Sequence, residues 1–159
     1  MTLPHRRPAN KKGKPLHCGF PLLKLDSGMR RRLTAWIPAF LWMALLFYLS
    51  SRSTLPSLPR PGWDTVFKKS GHFVAYGILA LLYLYTLTRD APLTPGRLWL
   101  AWGLAALYGI SDEVHQSFVP GRNPAVTDCL INAAGAATAL ILARWVARRC
   151  PPAESTAQS

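Results

Sequence analysis

The chain is poor in acidic residues, in patterned cysteines and in amphipathic sequence, and each shortage removes a class of protein. Charged residues make up only 16% of its 159 positions, and Asp and Glu number seven against nineteen Lys and Arg. Three cysteines, Cys18, Cys129 and Cys150, are odd in number and irregular in spacing, so they form neither a disulfide framework nor a zinc pattern. His17-Cys18 reads as an ordinary tail dipeptide. No nucleic-acid-binding motif accompanies the net charge of +12. Nine of the basic residues lie in the first 32 positions, where a tail sits against anionic lipid rather than nucleic acid. The first apolar run lacks a small-residue cleavage site, because Ser50-Ser51-Arg52-Ser53 follows it, so it is expected to be a retained helix and not a signal peptide.

Half of the chain is apolar, in four blocks: Leu33 to Leu49, Phe73 to Leu87, Leu98 to Ile110 and Ala133 to Val146. A soluble helix has one wet side, whereas these blocks are apolar nearly all round. Too little polar chain remains to cover them in water. The expected fold is therefore all-α, a polytopic membrane protein built as a four-transmembrane-helix bundle. Its helices are placed at about 33–50, 69–88, 98–118 and 126–147, within a domain of residues 29–149. A disordered basic tail, 1–28, and a disordered C-terminal tail, 150–159, flank that domain. Met29, just before Arg30-Arg31-Arg32, offers an alternative start of translation. If all four blocks span, fourteen basic residues fall on the side of the termini and five on the other. The positive-inside rule then puts both termini in the cytoplasm of a cell whose plasma membrane holds the protein.

Length brings in the polar residues. A helix needs about 20 residues to cross the hydrocarbon core. The last three blocks hold 13 to 15. Helix 2 must reach back through His72 and Lys69, helix 3 forward through Asp112, Glu113, His115 and Gln116, and helix 4 back through Asn132 and Asp128. All three extensions lie at the outer end, and polar groups at such depth normally turn inward to pair or to line a wet cavity. Helical spacing places Lys69, His72, Tyr76 and Tyr83 on one stripe, Asp112, His115 and Gln116 on one face with Glu113 at its edge, and Asp128, Asn132 and Gly135 on another. Pro120-Gly121-Arg122-Asn123-Pro124 reads as a tight turn that holds Arg122 over the pocket, ready to pair with Asp112 or Asp128. Helix 1 is expected to contribute packing only. The polar-pocket candidates are Lys69, His72, Tyr76, Asp112, Glu113, His115, Gln116, Arg122, Asp128 and Asn132.

Two acids and a His support acid–base work in principle, and His72, Asp112, Glu113, His115 and Asp128 are metal-capable types. Asp112-Glu113-Val114-His115-Gln116 lacks the His pair at i, i+4 of helical zinc proteases, so no metal or cofactor is expected. Ser111 and His115 share that spacing without an oxyanion element, a poor hydrolase signal.

Three stretches carry a resemblance to a known family. They are Phe47-Tyr48-Leu49-Ser50-Ser51, the Lys69-x-x-His72-Phe73-x-x-Tyr76 pattern, and Asp112-Glu113-Val114-His115-Gln116-Ser117-Phe118-Val119-Pro120-Gly121-Arg122 followed by Asp128-x-x-x-Asn132-x-x-Gly135. From about Leu33 to Val146 the chain resembles the VanZ-like membrane proteins of bacteria, a family associated with resistance to the glycopeptide antibiotic teicoplanin. Members often carry Asp just before the Lys, where this chain has Lys68, so that acid does not carry over. The resemblance implies a membrane protein of four or five helices and implies no reaction. Two functions are weighed. One is recognition of a polar envelope molecule at the outer leaflet: a lipid headgroup, a peptidoglycan precursor or a lipopeptide antibiotic. The other is an intramembrane enzyme, with or without a metal, acting on such a molecule. Membrane lipids are the expected partners, and nucleic acid is not.

Overall fold

The computed structural model describes residues 27–53, 61–122 and 125–149. The expected tails therefore lie outside the described residues, save Ser27 and Gly28, which are helical. The described residues form five helices: α1 (Ser27–Ala35), α2 (Ile37–Ser50), α3 (Pro61–Thr88), α4 (Pro95–Gln116) and α5 (Val126–Arg149). There is no strand among the described residues.

α1 and α2 together form the first apolar segment, interrupted at Trp36. Pro38 has no N–H to donate to the preceding turn. The chain tightens there instead, with Trp36 N donating to the Leu33 carbonyl at 3.1 Å before Phe40 N resumes helical bonding to Trp36 at 3.0 Å. α3 begins at Pro61, eight residues before the expected Lys69. Pro61 suits a helix start, and Asp64 in the first turn complements the positive end of the helix dipole. α4 opens on Thr94, whose side chain accepts from Arg97 N, followed by Pro95.

Gly28–Ser50, Gly62–Thr88 and Val126–Arg149 are each long and apolar enough to cross a membrane. α4, with 22 residues, is long enough by rise alone, but Asp112, Glu113, His115 and Gln116 occupy its last turns. The surface supports a membrane setting. Phe40, Leu41, Trp99, Leu107, Leu130 and Ile141 point outward, while Asp112, Glu113, Gln116 and Asn132 are buried. A water-soluble domain distributes these the other way.

α3 and α5 form the tightest pair. At their crossing Gly135 packs on the backbone of Phe73, where a Cβ would strike the Phe73 carbonyl oxygen and sit 2.8 Å from its carbon. Only glycine allows that approach. α4 packs on both, and its Ala101 and Ala105 are fully buried with Leu79, Ala80 and Ala136. Of the small residues of α5, Gly135 and Ala136 are buried at these contacts.

Candidate functional site

The C-terminal end of α2, the N-terminal half of α3, the end of α4 and the start of α5 meet at one end of the bundle. Long-range contacts fix this. Lys69 Nζ on α3 lies 3.1 Å from Asp128 Oδ1 on α5. Ala125 N, just before α5, donates to Glu113 Oε2 on α4 at 3.3 Å. Ser51 Oγ, just after α2, is 3.0 Å from His115 Nε2 on α4.

At the centre are His72, Asp112 and Glu113, each offering one ligand-type atom within 4.8 Å of the others. Asp112 is 5% and Glu113 6% exposed, and His72 is half-buried. Gln116 Nε2 donates to Asp112 Oδ2 at 3.1 Å, one turn along α4. Tyr76 is buried and lies parallel to the His72 ring, 6.5 Å between centroids. Asn132 is 1% exposed. Beyond these bonds the end is poorly satisfied: Ser50 Oγ, the Tyr76 hydroxyl, Asp112 Oδ1, Glu113 Oε1 and both amide atoms of Asn132 are buried without hydrogen-bond partners. Buried polar groups in folded proteins are normally partnered, so such a concentration calls for a cause.

Two cavities open here. One of about 270 Å³ runs between α2, α3 and α4, and His72, Tyr76, Asp112, Gln116, Ser50 and Arg122 are among its lining. The other, about 420 Å³, is lined mainly by polar groups, including Asp64, Lys68, Lys69, His72, Arg122 and Asp128. A larger apolar groove of about 530 Å³ between α4 and α5, lined by Trp99, Trp102, Leu140 and Ile141, contains none of these residues. Its walls are those of a lipid-facing surface.

Several expected site residues fall elsewhere than the helical faces suggest. Among the described residues Arg122 pairs with no carboxylate: its Nε donates to the Arg52 carbonyl and a terminal nitrogen to the Leu49 carbonyl, both at 3.1 Å. It braces the end of α2 through the Leu49 carbonyl and the Arg52 carbonyl just beyond the helix. Asp128 takes Lys69 instead. His115 points away from the cluster and packs on Phe47, with ring centroids 4.4 Å apart. α2 therefore supplies more than packing, since Ser50, Ser51 and the Leu49 carbonyl all belong to this end. Asp64 was not among the expected residues. It holds Lys68 at 2.6 Å one helical turn away, a spacing visible in the sequence.

The turn before α5 is set by Pro120-Gly121. Arg122 N donates to the Val119 carbonyl at 3.2 Å, and Gly121 has φ +81°. Pro then Gly at the central positions is the requirement of a type II turn. Asn123 and Pro124 of the expected turn lie outside the described residues.

The family model for VanZ/LLP1 matches residues 25–147. The chain belongs to this family. That match takes in all of the polar end and every helix apart from the last residues of α5. No curated protein and no solved structure matches the chain.

Proposed function

We propose that this VanZ-like protein crosses the plasma membrane four times, with both termini in the cytoplasm. Its polar end then faces the outer leaflet and recognises a polar cell-envelope molecule: a lipid headgroup, a peptidoglycan precursor or a lipopeptide antibiotic. This is a role of the teicoplanin-resistance type. The observation that carries the reading is the set of unpartnered polar atoms buried beside two cavities rimmed by Lys68, Lys69 and Arg122. Protein groups left unpaired in a folded core are satisfied when a ligand with matching donors and acceptors enters. The burial of Asp112, Glu113 and Gln116 supports α4 as the fourth span, because its acids turn toward protein and not toward lipid. The excess of basic residues on the side of the termini supports the orientation.

Lipid mass spectrometry tests the reading. Envelopes of cells with and without the protein, and material copurified with it, are compared. The reading expects one class of envelope molecule to be enriched with the protein and lost on replacing Asn132 or Gln116. Identical profiles in all samples contradict it.

A further inference from the structure

Three cations stand near the buried acids, and each is engaged elsewhere. Lys68 pairs with Asp64 at 2.6 Å, Lys69 with Asp128 at 3.1 Å, and Arg122 braces the end of α2 through two carbonyls. Among the described residues, Asp112 and Glu113 have no basic partner within ion-pair distance, although both are more than nine-tenths buried. One oxygen of each, Asp112 Oδ1 and Glu113 Oε1, accepts no hydrogen bond. Two adjacent carboxylates in such a place are ionised only with a counter-charge.

We propose that His72, Asp112 and Glu113 bind a divalent cation of mixed nitrogen and oxygen preference, Zn²⁺ fitting best. An imidazole with two carboxylates is a donor set that Zn²⁺ accepts, and the two negative charges balance the ion. The two carboxylates are each anchored through their second oxygen, Asp112 Oδ2 by Gln116 and Glu113 Oε2 by Ala125 N. Outer-shell bonds of that kind orient metal ligands. The free oxygens and His72 are the three donors, mutually within 4.8 Å. Zinc sits about 2.0–2.2 Å from nitrogen and oxygen ligands, so three donors on one ion come within about 4 Å of each other, and side-chain shifts of about 1 Å seat them. A neighbouring hydroxyl points the same way. The Tyr76 hydroxyl is also buried without a partner, on a residue that shares a cavity with His72 and Asp112. A buried hydroxyl left open there suits a water on the ion. With three protein donors the ion keeps a coordination position for such a water.

The site stands without the envelope-ligand reading, because binding is measured with no envelope molecule added. Full-length protein in lipid nanodiscs is stripped with chelator, dialysed, and titrated with Zn²⁺ against a chromophoric competitor, with bound metal counted by mass spectrometry. The proposal expects about one Zn²⁺ per chain, and affinity lowered by about 100-fold or more in His72→Gln, Asp112→Asn and Glu113→Gln. His115→Gln, outside the cluster, keeps wild-type affinity. Well under half an equivalent of metal in the wild type overturns the proposal whatever the variants do. So does equal affinity in the wild type and the three cluster variants. The carboxamide changes are nearly isosteric, and the wild-type stoichiometry decides the matter even if one of them fails to fold.

Discussion

The two ends of the bundle are built on opposite rules. Away from the site, polar atoms between helices find partners. The Tyr83 hydroxyl donates to Met43 Sδ at 3.1 Å, Tyr108 to the Met43 carbonyl at 2.7 Å, and Thr86 to the Ala35 carbonyl at 2.9 Å. Around them Ala39, Leu79, Leu84, Ala101 and Leu140 are buried in one apolar core. At the other end, six buried side-chain atoms have no partner, and two of them are carboxylate oxygens. Local rules that hold through most of a fold and fail together in one place mark the place where function competes with stability. The satisfied end holds the helices together; the unsatisfied end leaves six buried polar atoms open, as the proposed binding site requires.

The largest effect on that contrast is expected at the crossing that supports both ends. Gly135→Ala puts a methyl group into the Phe73 backbone, and overpacking of this kind costs about 1–3 kcal/mol, more where backbone is the obstacle. Size-exclusion and thermal unfolding in detergent should show a large drop in melting temperature or loss of the folded peak. A wild-type melting temperature would mean the crossing is looser than described. Asn132→Leu should move stability the other way. Removing two unpartnered amide atoms at nearly constant volume should raise stability by about 1 kcal/mol while abolishing envelope-ligand capture. A fall in melting temperature would show that Asn132 has a structural partner after all.

Smaller effects sharpen the comparison. Arg122→Ala loses its bonds to the Leu49 and Arg52 carbonyls and should cost about 1 kcal/mol, chiefly as faster hydrogen exchange just after Leu49. Protection unchanged at Ser50 to Ser53 would place the Arg122 side chain elsewhere. Tyr83→Phe removes one bond to sulfur and should cost about 0.5 kcal/mol with ligand capture intact. Loss of capture in that variant would undo the separation of the two ends.

Much of this was legible in the residues, because bilayer thickness and helix rise are fixed lengths. Short apolar runs had to be completed by polar residues, and the completion through His72, Asp112 to Gln116 and Asn132 puts them in α3, α4 and α5. The partners were not legible. On α4, successive residues turn by about 100°, so His115 and Gln116 lie on opposite flanks of Asp112. A shared face does not say which flank meets which helix: His115 meets Phe47 and Ser51 of the α2 end, while Gln116 stays with Asp112. Arg122 was assigned to acids because charge complementarity is readable in sequence, whereas the backbone carbonyls it meets at the end of α2 are not. The His72–Asp112–Glu113 cluster was obscured for a similar reason. Its donors come from two helices, and motif spacing reports only donors on one.

The central claim is that the polar end is a binding site and not a structural device. His72, Glu113, Gln116, Arg122, Asp128 and Asn132 are replaced singly by Ala in a host whose teicoplanin tolerance depends on this protein, and membrane insertion of each variant is verified. The account predicts that variants which insert normally lose tolerance, with His72, Glu113 and Asn132 the most severe. Tolerance surviving every replacement would contradict it.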